Sequence, residues 1–145
     1  MPGIVVGVDG SVHAHRALDW AMREAAIRAD ELRVVTVNPA QASPWTGRLL
    51  TVPGEAQTLD HARAAVQDAV TDTAGKIGAD QPASVSVAAF SGSPAKALIE
   101  ASRSADMLVI GSRGAGGFES LLLGSISHEV VQHAACPVVV VPSGH

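Results

Sequence analysis

Glycines and hydroxyls crowd one stretch of this chain. Residues 111–127 read GSRGAGGFESLLLGSIS, with glycine at 111, 114, 116, 117 and 124 and serine at 125 and 127. An apolar run at 107–110 (MLVI) precedes it, and a helical pattern opens as it ends (SHEVVQH, 127–133). A strand, a glycine-rich loop and the first turn of a helix therefore follow one another. That order suits an anion. Glycine lets the backbone take positive φ and approach a ligand with no Cβ in the way. The first turn of a helix offers unpaired N–H groups and a partial positive charge. A phosphate is the anion these parts hold best. Gly124, Ser125, Ile126 (through its backbone N–H) and Ser127 would face it, the two serines adding hydroxyls. Arg113 is a candidate charged donor, although a loop arginine serves equally well as a solvated charge.

The better-known phosphate motifs do not match. A Walker A loop needs a lysine where Ser125 follows Gly124. Gly114 and Gly116 begin a dinucleotide fingerprint, but Glu119 stands where its third small residue belongs. The competing reading is a loop whose glycines only make turns. No set for catalysis is visible either. His13 and His15, two apart at a helix start, point to different faces, and His128 and His133 lack a third metal ligand. No G-x-S-x-G elbow occurs around Ser11. Cys136 is the single cysteine, so no internal disulfide forms, and it reads as a small buried side chain more than a reactive thiol.

The elements that must position the loop alternate along the chain. Residues 4–8 (IVVGV) are a continuous apolar run, as in a strand covered on both faces of a parallel sheet. Ser11 can cap a helix whose inner face is Ala14, Ala17, Leu18, Ala21, Met22 and Ala25. Trp20 falls off that face. Residues 31–38 read as a second strand stopped by Pro39, and 55–77 as a helix burying Leu59, Ala62, Val66, Ala69, Val70 and Ala74. The proline-rich segment between them, 38–54, is long for a connection inside a compact domain and reads as a lid or an insertion. A third strand at 84–90 leads to a helix at 95–104, with Ser93 as cap and Pro94 in the first helical position. The fourth strand is 107–110, the last helix about 125–134, and the fifth strand 137–141 (PVVVV). Alternation of this kind implies right-handed crossovers and a parallel sheet. The expected fold is α/β and Rossmann-like: a doubly wound five-stranded parallel sheet in order 3-2-1-4-5. Its switch point lies between the first and fourth strands, where ligands of such sheets bind. Asp9 closes the first strand and Gly111 the fourth, so two distant segments converge there.

Composition narrows the field. With 145 residues, 47% hydrophobic and 17% charged, the chain reads as one globular domain over 1–145. A net charge of −4 and 3% aromatics argue against nucleic acid as a partner. No run is long and apolar enough for a membrane, and the first residues show no basic stretch or cleavage pattern. The expected setting is cytoplasmic.

The pattern Gly111-x2-Gly114-x9-Gly124-Ser125, between the fourth strand and the last helix, resembles the nucleotide-binding signature of ATP-binding universal stress proteins. Gly7-Val-Asp-Gly-Ser11 resembles that family's first-strand ending, and Cys136-Pro137 with the valines after it resembles its terminal strand, so the likeness covers essentially the whole chain. The resemblance implies an adenine nucleotide alpha hydrolase-like fold and ATP with Mg2+ as ligands. Gly7, Val8 and Asp9 would line the ribose and phosphate side, Asp9 binding a ribose hydroxyl or holding the metal through water; capping the helix behind it is the plainer role. Val37 would contact adenine, which an ordinary core valine also explains. Ile110, Gly111, Arg113 and Gly114 would approach ribose and phosphates, with Gly124, Ser125, Ile126 and Ser127 at the β- and γ-phosphate end. The resemblance also implies a homodimer joined through 137–141, and an unidentified regulatory protein partner. Gly92 and Pro94 fit the family pattern and read as structural. The implied function is a nucleotide-dependent stress-response module with at most slow hydrolysis. Cyclic AMP as ligand, a weak ATP hydrolase and a nucleotide-free scaffold are the alternatives. Two hydroxyls beyond Gly124 are more than a cyclic monophosphate needs, which favours the triphosphate.

Overall fold

Strands and helices alternate as expected: β1 (Ile4–Val8), α1 (Val12–Arg28), β2 (Glu31–Pro39), α2 (Glu55–Ile77), β3 (Ser84–Gly92), α3 (Pro94–Ser102), β4 (Met107–Gly111), α4 (Ser125–His133) and β5 (Val138–Val141). The structure, a computed structural model, describes residues 3–8, 12–39, 55–112 and 124–142. All strands pair in parallel, in the order β3-β2-β1-β4-β5. This is the doubly wound sheet that the alternation implied.

Helices cover both faces, which is why the strands are so apolar. Even-numbered positions of β1 and β2 (Ile4, Val6, Val8, Leu32 and Val34) pack with α1 and α2. Odd-numbered positions (Val5 and Val35), with Leu108 and Ile110 of β4, pack with α3 and α4. From α1 come Ala17, Leu18, Ala21, Met22 and Ala25, each buried, and Trp20 packs at the border of the same cluster. Much of this interface is alanine and valine, so helix and sheet approach closely. From α2 come Val66 and Val70, together with Thr73, whose hydroxyl donates to the Ala69 carbonyl at 2.8 Å. That bond satisfies a polar group that burial would otherwise penalise.

The element ends differ slightly from the sequence reading. β2 continues through Pro39, which pairs with Gly92 of β3. Proline lacks the N–H but keeps a carbonyl, and it sits at a strand terminus. Gly92 takes φ +131, a value that favours glycine, and turns the chain into α3. Ser93 caps α3 by accepting from the Lys96 N–H at 3.3 Å, and Pro94 opens the helix as expected. α3 stops at Ser102, short of 104. The Ser102 hydroxyl donates to the Ile99 carbonyl at 2.5 Å and accepts from the Ala135 N–H at 2.9 Å, tying α3 to the turn before β5. Most of the 38–54 segment, with Ser11 and Ala14's side chain, lies outside the described residues. Among the described residues, no helix is long and apolar enough to cross a membrane.

Candidate functional site

The crevice starts where one ladder stops. β1 and β4 are neighbours, but their pairing ends at Val6–Val109, while β1 runs on to Val8 and β4 to Gly111. Beyond that pair the strands part. β1 continues beside β2 (Gly7 with Val35, Val8 with Thr36), and β4 beside β5 (Ile110 with Val140, Gly111 with Val141). The gap opens at the carboxyl ends of the strands, at the switch point.

On the β4 side, three hydrogen bonds build the junction with α4. The Ser112 N–H donates to the Val141 carbonyl at 2.9 Å, extending the β4–β5 ladder past Gly111. The Ser112 carbonyl accepts from the Gly124 N–H at 2.7 Å. The Ser127 hydroxyl donates to the Gly111 carbonyl at 2.7 Å. Residues 112 and 124 are thus clamped together, and α4 starts against the end of β4. Gly124 is the helix N-cap, extended at φ −70 and ψ 167, and among the described residues no side chain caps the helix. Its first intrahelical bond is from His128 N–H to Gly124 carbonyl, 2.9 Å. The N–H groups of Ser125, Ile126 and Ser127 have no acceptor among the described residues. Three donors and the positive end of a helix dipole therefore stand at the crevice, an arrangement that attracts an anion.

The expected site residues divide into three groups. Gly111, Gly124, Ser125, Ile126 and Ser127 are brought together at this junction. Ser125 and Ile126 are exposed, whereas Ser127 is buried, its one hydroxyl hydrogen committed to Gly111. It holds the frame, and of the two hydroxyls counted from sequence only that of Ser125 stands open. Gly7, Val8, Val37 and Ile110 line the strand ends as parts of the core. Val8 lies in the α1–α2 cluster and Ile110 in the α3–α4 cluster, with Val37 at the latter's margin. At Gly7, a Cβ would stand 2.8 Å from Leu98 Cδ2 and 2.9 Å from Cδ1, so packing against α3 by itself accounts for glycine there. Asp9, Arg113 and Gly114 lie outside the described residues.

Two residues had not been singled out. Ser112 bridges β5, β4 and the start of α4. Thr36, beside Val8 in register, is a buried polar group at the crevice level. The signal for each was a lone hydroxyl within an apolar strand or at its end. Cys136 lies before β5, at the opposite end of the parallel strands from the crevice. Burial pushes its thiol up, and the Asp106 carboxylate adds to the effect. Among the described residues, no three His, Cys, Asp or Glu side chains gather to hold a metal ion.

Residues 2–142 match the universal stress protein family. The chain belongs to that family. Among similar universal stress proteins, one from Mycobacterium tuberculosis is 36% identical over 141 residues, 97% of this chain and 48% of the relative. One from Mycolicibacterium smegmatis is 36% identical over 140 residues, 96% of this chain and 47% of the relative. This universal stress protein chain thus spans about half the length of the relatives it matches. Among solved structures, universal stress protein UspA from Lactobacillus plantarum superposes with a TM-score of 0.76 at 22% identity, covering 97% of both chains. A universal stress protein in complex with cAMP gives 0.68 at 26% identity, covering 99% of this chain and 98% of the other.

Proposed function

We propose that this universal stress protein is an adenine-nucleotide-binding regulatory module whose ligand is ATP. The observation that carries this is the junction of β4 and α4, where three backbone N–H groups without acceptors among the described residues begin a helix against the end of β4, the strand that parts from β1 at the opening. The phosphates sit on the amides of Ser125, Ile126 and Ser127, with the Ser125 hydroxyl and Arg113 as further donors. Gly111, Gly114 and Gly124 let the backbone come close. The nucleoside crosses the ends of β1 and β2, past Gly7, Val8 and Ile110, with Asp9 on the ribose and Val37 against the base. Asp9 would hold, through water, a Mg2+ bound with the triphosphate, whose charge would offset that of the phosphates. No residue is assigned to activate water, so hydrolysis is slow at most. The apolar β5 edge joins a second copy, and the composition supports a cytoplasmic setting. Isothermal titration with ATP, ADP, AMP and cyclic AMP tests the proposal. Saturable binding with ATP tightest is expected, and no saturable binding by any of the four removes the reading.

A second reading has its own support. The Ser127 hydroxyl is engaged with Gly111, which weakens the case for a site built around three phosphates. The solved universal stress protein with cAMP is 26% identical. Cyclic AMP as the tighter ligand in the same titrations would select it.

A further inference from the structure

One aromatic stands half exposed on an edge strand, outside both core clusters. Phe90 is 49% exposed, and it is the only aromatic among the large exposed hydrophobics of the described residues. It stands near the end of β3, an edge strand whose side chains alternate. Val85 and Val87 pack on the α1–α2 core. The other row is Ser84, Ser86, Ala88 and Phe90, of which only Ala88 is partly covered. Small or polar residues are what an uncovered sheet face normally carries. A phenylalanine closing that row leaves about half of a large apolar side chain in water.

Its place in the register is informative. Phe90 pairs with Val37 of β2, so the two side chains share a face and a height, two pairs short of the Pro39–Gly92 end. That is the carboxyl end of the strands, where the crevice and the α4 amides also lie. Adjacent strands run about 4.8 Å apart, so Val37 is about 10 Å and Phe90 about 14 Å across the sheet from β4. A ligand anchored by phosphate over β4 reaches that far only if it carries a ribose and base. An aromatic ring there meets the face or edge of a purine, a contact favourable by stacking and by ring quadrupoles.

We infer that Phe90 is a base-side wall of the nucleotide site, its ring flanking the adenine next to Val37 while the α4 amides hold the phosphates. The inference rests on the adenine-nucleotide reading above and adds a specificity-determining residue to it. The test titrates the wild type, F90A, F90L and F90W with ATP, AMP and inorganic tripolyphosphate. F90A and F90L should bind ATP and AMP about tenfold more weakly, the scale of one base–aromatic contact. Tripolyphosphate affinity should stay unchanged in every variant, and F90W should bind the nucleotides at least as tightly as the wild type. F90L and F90W keep a bulky side chain, so a folding defect confined to F90A leaves the comparison intact. Wild-type ATP affinity in F90L overturns the assignment, and so does an equal loss of ATP and tripolyphosphate affinity. Both of those results leave the adenine-nucleotide reading standing. That reading falls only if the wild type binds no nucleotide, and this inference falls with it.

Discussion

Two residues at the crevice owe their identity to packing more than to ligand chemistry. Ser127 was read as a phosphate donor, yet its side chain faces inward and fastens α4 to the Gly111 carbonyl. Gly7 was assigned to the ribose side, yet its missing Cβ is where the Leu98 methyls lie. Leu98 is buried, so it has little room to swing aside. Gly7→Ala should therefore lower stability by about 1–3 kcal/mol, the usual cost of overpacking a filled core. In a Leu98→Val background the same change should cost about 1 kcal/mol less, because the shorter side chain relieves the contact. Urea denaturation of the four proteins gives the cycle, and equal costs in both backgrounds would refute the packing account. This pair also marks the limit of sequence reading at residue scale. Spacing singled out Gly111, Gly124, Ser125 and Ser127, and the structure brings these four to one junction. It does not reveal which way a serine turns, or that a leucine ninety residues on occupies the space beside a glycine.

At the scale of elements, α4 is a helix begun without a side-chain cap among the described residues. Serine, threonine, asparagine or aspartate usually satisfies the first amides; here Gly124 leaves them open. α3 makes the contrast inside the same molecule, since Ser93 caps it and Pro94 removes one donor. The two helix starts were equally legible in the sequence, because Ser-Pro and Gly-Ser are both helix-opening signals, and the capping difference follows from those residue types. Element ends were less legible. β2 runs through Pro39 because its partner Gly92 extends β3 to the same level, and pairing partners are not written in local sequence. The uncapped start of α4 makes a sharp prediction. Ser125→Pro removes one amide and one hydroxyl, yet proline is favoured at the first helical position. The preceding Gly124, at φ −70 and ψ 167, already has the extended backbone that proline requires before it. The variant should keep wild-type stability within about 0.5 kcal/mol, as a compatible substitution does, while ATP affinity drops about tenfold, as for loss of one or two hydrogen bonds to a charged group. Thermal unfolding together with calorimetric titration checks both halves. Unchanged ATP affinity would show that the anion is held elsewhere.

For the whole molecule, the sheet has two unlike edges. β3 reads SVSVAAFSG and exposes serines, whereas β5 is four valines. An apolar edge strand with unpaired main-chain groups invites another strand, so the β5 edge is where a second copy is expected to join. Hydrogen bonds identify which residues serve that edge. Leu108 N–H donates to the Pro137 carbonyl at 3.0 Å, and Ser112 N–H to the Val141 carbonyl at 2.9 Å. Main-chain direction alternates along a strand, so 137, 139 and 141 turn toward β4, and Val138 and Val140 turn outward. Val140→Pro therefore deletes an outward N–H and spares the β4–β5 ladder, and proline is tolerated on edge strands in that orientation. The same ladder holds Ser112, and through it the start of α4, so the site should remain assembled in a separated protomer. Sedimentation velocity should show a dimer for the wild type and a monomer for Val140→Pro. Circular dichroism should be unchanged, and ATP binding should be retained within about twofold, well under the 1.4 kcal/mol that a tenfold change represents. A variant that remains dimeric would move the interface away from β5. A monomer that no longer binds ATP would mean that the second copy helps to complete the site.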